Sequence, residues 1–156
     1  MGSWLRFGPV DFGRYDIGDY MQRWLLTTPW GTVRLHRICR PDLDVEYHDH
    51  PWDFVSVILR GWYMEERPAP GADPCAPWSA AVNTIYGRGG RRINRCRAAD
   101  PHRIASTSGV VWTLVFTGPR VRTWGFYAFD GRGWVPWRDF ATVKPGTVEH
   151  GPRVTA

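Results

Sequence analysis

The sequence predicts an all-β sandwich or barrel of roughly seven to nine short strands. Two observations carry that expectation. Runs of β-branched and aromatic residues recur between turns marked by Gly and Pro, the strongest being Phe54 to Leu59 and Val110 to Thr117. No stretch keeps a 3.6-residue apolar period long enough to make a useful amphipathic helix. With 156 residues, 43% hydrophobic, one domain with a substantial core is the simplest organisation.

Taken in order, residues 1–20 mix Gly, Asp and aromatics without clear periodicity. Trp4, Leu5 and Phe7 are expected to begin a short helix or an arm that packs on the barrel. Tyr20 to Leu26 reads as the first strand, ended by the turn Thr28-Pro29-Trp30-Gly31. Thr32 to Arg40 alternates as a strand and stops at Pro41-Asp42. Phe54 to Leu59 ends at Gly61, and Trp62 to Glu66 follows. Pro68 to Pro77 is a loop, because Pro and Gly do not sustain a strand ladder. Further strands are expected at Ala80 to Tyr86, Arg91 to Cys96, His102 to Thr107, Val110 to Thr117 and Val121 to Phe129. Asp130-Gly131-Arg132-Gly133 then turns the chain towards Trp134-Val135-Pro136-Trp137. The chain divides into an N-terminal arm with the first strand (1–30), a barrel (31–140) and a tail (141–156).

Bulk chemistry narrows the function classes. No apolar run approaches the roughly 20 residues that span a bilayer, and the N-terminus lacks a basic-then-apolar leader. A soluble, cytoplasmic protein without a membrane partner is expected. The net charge is +5, and all 20 basic residues but Lys144 are arginine. They are scattered, and the densest cluster, Arg88 to Arg97, lies in a Gly-rich segment between strands, so no nucleic-acid partner is expected. Cys39, Cys75 and Cys96 are odd in number and have no Cys-x-x-Cys spacing, which indicates neither a disulfide framework nor a cysteine metal site.

The stretch Tyr47-His48-Asp49-His50-Pro51-Trp52-Asp53-Phe54 carries the chemistry. Two histidines at i and i+2 point the same way only in an extended chain. His48 and His50 are therefore expected side by side at the mouth of a strand, and two neutral imidazoles aimed at one point make half of a metal site. His36 lies mid-strand, where a hydrogen-bonded core or supporting role is the commoner use, and it is held as the reserve ligand. Residues in phase with the pair beyond it are Phe54, Ser56 and Ile58, which predicts an aromatic and apolar floor with one hydroxyl. Tyr63, Arg103, Trp112 and Arg122 are expected walls from facing strands.

The stretch resembles the first motif of the cupin superfamily: His-x-His, three or four residues, Glu, six residues, Gly. Three residues separate His50 from Phe54 and six separate Phe54 from Gly61, so a phenyl ring stands where the family's carboxylate sits. The family's second motif supplies one more histidine, for which His102 in Asp100-Pro101-His102-Arg103-Ile104 is the candidate. The segments Thr117-Gly118-Pro119-Arg120, Trp124-Gly125-Phe126 and Trp137-Arg138-Asp139-Phe140 are similar to the tails of small bacterial cupins that share the His-Asp-His-Pro-Trp signature. The resemblance runs from about Leu35 to Phe140. It implies a double-stranded β-helix (jelly-roll) barrel and a three-histidine site of His48, His50 and His102, like that of thiol-dioxygenase cupins.

Such a site implies a divalent metal, with Fe(II) favoured by cupin precedent and zinc, nickel or manganese compatible with the same ligands. Each ring's second nitrogen needs an acceptor, and Asp49 and Asp53 are the expected ones, beside backbone carbonyls. Asp53 is one residue short of the missing glutamate. A bulge there would turn it onto the metal; without one it points outward. Glu46 shares the histidines' parity but precedes them on the rim. Asp53, Tyr63 and Arg103 are the candidate catalytic residues. The function expected is a mononuclear metal-dependent oxygenase using O₂ on a small organic molecule. A non-redox isomerase, cyclase or lyase and a non-catalytic binding cupin remain the alternatives. A homodimer is left open.

Overall fold

A computed structural model describes residues 3–7 and 10–143. The strands are β1 (Ser3–Phe7), β2 (Val10–Ile17), β3 (Met21–Thr28), β4 (Gly31–Ile38), β5 (Tyr47–His48), β6 (Phe54–Arg60) and β7 (Trp62–Pro68). There follow β8 (Ala81–Gly87), β9 (Ile93–Cys96), β10 (Arg103–Thr107), β11 (Val111–Thr117), β12 (Gly125–Ala128) and β13 (Gly133–Pro136), then the helix α1 (Trp137–Val143).

One sheet runs β1-β2-β3-β4-β11-β6-β9. The other layer is assembled from β13-β12-β5 and β10-β7-β8, stitched by an antiparallel bridge between His48 and His102. Those two residues exchange N–H···O bonds of 3.0 Å in both directions. From β4 to β11 the chain thus places β4, β11, β6 and β9 in one sheet, and β5, β10, β7 and β8 in the other. That interleaved order, antiparallel throughout, is two Greek keys wound as a jelly roll. The all-β jelly-roll fold is therefore established by strand order.

The sheets face each other across a shared core. Met21, Ile38, Ile58 and Val111 come from the first sheet, Tyr63 and Tyr86 from the second, and all are buried in one cluster. Strand parity produces this: β11 buries Val111, Thr113, Val115 and Thr117 and turns the residues between them to the other face. Gly61 ends β6 as expected, at φ +78°. A Cβ there would come within 2.9 Å of Ser108 Oγ and 3.0 Å of Val110 O, so the position requires glycine twice over.

Three local expectations need correction. The N-terminal segment is not a helix but strand: β1 and β2 pair with each other, and β2 pairs with β3, extending the sheet. Tyr20 to Leu26 is thus the third strand. β2 hid from a pattern search because it carries Asp11, Arg14 and Asp16 and relies on pairing more than on a buried face. The expected strand Val121 to Phe129 shortens to β12, because Val121 N–H donates to Pro51 O (2.8 Å) instead of to a ladder. Last, Trp137 to Val143 is a helix. Seven residues, just under two turns, are too few for a period to show, but Phe140 is fully buried and stacks on Phe126 at 4.2 Å. Among the described residues no helix is long and apolar enough to cross a membrane. The tail beyond residue 143 lies outside the described residues.

Candidate metal centre

The site is built where β5 meets β10. β5 is only Tyr47 and His48, but the chain stays extended through Asp49 to His50, whose N–H donates to Ala98 O at 2.9 Å. His48 and His50 therefore share a face, as i and i+2 residues do. The bridge from His48 to His102 brings the third ring to the same point. Ring centroids lie 5.2 Å apart for His48 and His50, and 4.9 Å from each of them to His102. One nitrogen from each ring lies within 4.8 Å of the other two. His50 Nε2 and His102 Nε2 are 2.7 Å apart.

Orientation comes from a carboxylate that sequence reasoning missed. Glu65, 2% exposed, accepts from His102 Nδ1 at 2.9 Å. The same carboxylate accepts from Asn94 Nδ2 and from Arg67 Nε, each at 2.5 Å. A carboxylate behind a histidine fixes the tautomer and leaves the opposite nitrogen's lone pair for a metal. The signal was available, since Glu65 lies two residues from Tyr63 on β7 and so shares its inward face. Asp42 Oδ2 stands 3.9 Å from His48 Nδ1.

The carboxylates expected behind the rings do other work. Asp49 is fully buried and accepts from Gly125 N (2.8 Å) and Trp134 Nε1 (2.9 Å), with Arg122 Nη1 at 2.9 Å. It ties β5 to the β12-β13 hairpin, and Arg122 is its partner instead of a pocket wall. Asp53 is exposed, and its Oδ1 accepts from Ala98 N at 2.7 Å. It latches the two loops that carry the site and is not in the histidine group. Because an amide oxygen can accept the same bond, Asp53→Asn should keep both metal affinity and fold. Metal titration of that variant checks it.

The remaining expectations divide cleanly by parity. Phe54 is at the site, its ring edge-on to His50 at 5.0 Å and tilted on His102 at 5.9 Å. Ser56 and Ile58 are buried behind it. Tyr63 is buried, and its hydroxyl accepts from Asn94 Nδ2 at 3.1 Å, so a chain of hydrogen bonds links it through Asn94 and Glu65 to His102. Burial, then the Glu65 charge, holds its phenol well above the ordinary range. Arg103 is misplaced as a wall residue: next to His102 in the strand, it faces outward. It binds Glu66 and the Val45 carbonyl beside an external cavity of about 230 Å³. Trp112 likewise faces away, stacked on Trp24 at 5.7 Å. His36 and Glu46 are not in the group either.

Electrostatics separate the three rings. Burial, then His102 and His48, pushes His50 well below the ordinary histidine range. Burial lowers His48 to about 4, with Asp42 opposing. For His102 burial also opposes the charge, but hydrogen bonds to Cys96 and Glu65 outweigh it and raise the ring to about 10. In the metal-free cluster at neutral pH His102 is therefore the charged ring, one proton beyond its neutral form, while His48 and His50 are neutral.

A metal ion needs that lone pair, so binding must expel the proton. Affinity should rise about tenfold per pH unit from near 5 up to the His102 value, because His48 and His50 are already neutral there. Calorimetry in buffers of different ionisation enthalpy should find about one proton released per ion at pH 8. Release of none would contradict this assignment of protons.

No protein-family model matches the chain, and no curated protein sequence matches it. Among solved structures it is similar to hydroxypropylphosphonic acid epoxidase from S. wedmorenis, at 11% identity and a TM-score of 0.47, over 67% of this chain and 55% of that one. A structure of DMSP lyases matches at 14% identity and a TM-score of 0.46, over 75% of this chain and 56% of that one. A cupin-2 domain from Rhodospirillum rubrum matches at 14% and 0.45, over 90% and 84%. The chain spans a little over half the length of the epoxidase it matches. The fold assignment rests on strand order, and the site on three histidines with a buried carboxylate behind one of them.

Proposed function

We propose that this chain is a mononuclear metal-dependent enzyme, an Fe(II) oxygenase acting on a small organic molecule. The observation that supports the reading is the convergence of His48, His50 and His102 within 4.8 Å, backed by the buried Glu65. A buried carboxylate on one of the converging histidines is the supporting arrangement of metal-bound imidazoles. The donor set fits the ion once His102 has given up its extra proton: three neutral nitrogens, with the His102 tautomer fixed by Glu65. Bound there, iron would supply O₂ and Lewis-acid chemistry at the positions that three imidazoles leave open.

The chain's own residues set the conditions. Phe54 lays an apolar ring against His50. Glu65 holds the proton on His102 Nδ1, and Asn94 and Arg67 hold Glu65. Asp49 and Asp53 fix the backbone around His50 from either side.

The reading separates from a non-redox isomerase or lyase by O₂. Protein loaded with Fe(II) under nitrogen should consume O₂ when offered small organic acids, and zinc-loaded protein should not. Turnover with zinc and no O₂ uptake would replace the oxygenase with a Lewis-acid reaction.

A further inference from the structure

The inner face of the first sheet carries cations that the metal site does not use. Arg34 on β4 is 8% exposed, and its Nε is buried without a hydrogen-bond acceptor. Its guanidinium lies 4.0 Å from the Trp52 ring, and its cross-strand neighbours are Leu25 and Val115, neither of whose side chains can accept a hydrogen bond. Arg23 on β3 bonds the Tyr15 hydroxyl, yet its Nε is also without an acceptor. Two more polar atoms on this face are buried and unpartnered: His36 Nε2 and Thr113 Oγ1.

These atoms form one patch. Arg23 faces His36 across β3 and β4, and His36 faces Thr113 across β4 and β11. Arg34 lies two residues from His36, on the same face. Its row continues through Val115 and Ser56 to Asn94, whose amide holds Glu65 behind His102. Trp52, whose ring Arg34 covers, lies two residues from His50.

Buried donors are normally paired, and a buried cation without a counter-charge is costly. Stacking on Trp52 explains where the Arg34 guanidinium plane lies but satisfies no N–H, and Tyr15 satisfies only one N–H of Arg23, at Nη2. Burial, then the charge of Arg23, lowers Arg34 to about 9, which is the response of a cation lacking an anion. Four unsatisfied polar atoms on one inward face, two of them guanidinium N–H groups, describe a receptor for an anion.

We propose that Arg34 and Arg23, with His36 and Thr113, bind the carboxylate of a small organic acid and present the rest of that molecule to the three-histidine site. A planar carboxylate matches the guanidinium fork with two parallel bonds, and Thr113 donates to the same group. The inference rests on the metal reading for the chemistry that follows, but the acid's binding does not depend on the ion.

The test is calorimetric titration of the full chain, chelator-treated and metal-loaded, with propionate and benzoate, and with propionamide and inorganic phosphate as controls. Both carboxylates should bind both forms, and propionamide should not. Arg34→Gln should weaken carboxylate binding about tenfold or more, as loss of a charged hydrogen-bond partner does. It should leave metal affinity unchanged and melt no lower than the parent, because it removes a buried charge with no partner. Thr113→Val, which keeps the side chain's shape, should weaken binding a few-fold. Carboxylate affinity that ignores Arg34, absence of binding to either form, or preference for phosphate would each overturn the proposal. A parent that binds propionate through Arg34 but takes up no metal would instead overturn the metal reading alone.

Discussion

His50→Ala loses the divalent ion while the barrel stays folded. The substitution removes one of three converging nitrogens, so the loss should exceed the ~10–100-fold that follows from losing only a supporting partner. The fold should survive because His50 holds its place through main-chain atoms, its N–H donating to Ala98 O. The two flanking aspartates are anchored elsewhere, Asp49 at Gly125 and Trp134 and Asp53 at Ala98. Metal analysis after dialysis, together with a melting curve, reads both quantities. Full occupancy in a folded His50→Ala protein would remove the site.

Glu65→Gln is expected to act on metal, protons and stability at once. The carboxylate is 2% exposed and touches His102, Asn94 and Arg67. Burial works to raise its pKa, but the hydrogen bond and charge of His102, then Arg67, more than offset it and lower the group to about 2. A depressed carboxyl contributes stability that is present above its unfolded value, near 4.3, and is lost as pH falls through its folded value. Glu65→Gln should therefore cost roughly 3–5 kcal/mol at pH 7, the range for removing one partner of a buried pair. The difference should shrink below about pH 4. Metal affinity should fall ~10–100-fold. Without the carboxylate His102 keeps only Cys96 to hold it charged, so proton release on metal binding at pH 8 should fall below that of the parent. Denaturant unfolding at pH 7 and pH 3 measures the stability part. Equal stability of variant and parent at pH 7 would show that Glu65 is not the counter-charge.

Parity explains what was legible in the sequence. A two-residue period placed His48 with His50 and put Phe54, Ser56 and Ile58 inward, all without knowledge of the partner strands. The same rule puts Glu65 on the face of β7 that carries Tyr63, and both are buried. Arg103 and Trp112 failed for a different cause. Choosing a wall residue on a facing strand requires knowing which parity faces in, and that is fixed by register: His102, bridged to His48, turns Arg103 outward. The roles of Asp49 and Asp53 were hidden because their partners, Gly125, Trp134 and Ala98, are distant in sequence and are mostly backbone groups. The arginine patch was invisible for a related reason. Arg23 and Arg34 look like any other arginines in a scattered basic chain until strand pairing sets them on one inner face.

The most direct test of the three-histidine centre is X-ray absorption of the zinc-loaded protein, since zinc reports ligands without redox complication. About three imidazole nitrogens at roughly 2.0–2.1 Å are expected, the remaining position being filled by light atoms. Cys96 Sγ lies 3.9 Å from His102 Nδ1, on the side of the ring that faces Glu65, and should contribute nothing. A sulfur shell near roughly 2.3 Å, or fewer than three imidazoles, would contradict the assignment of His48, His50 and His102.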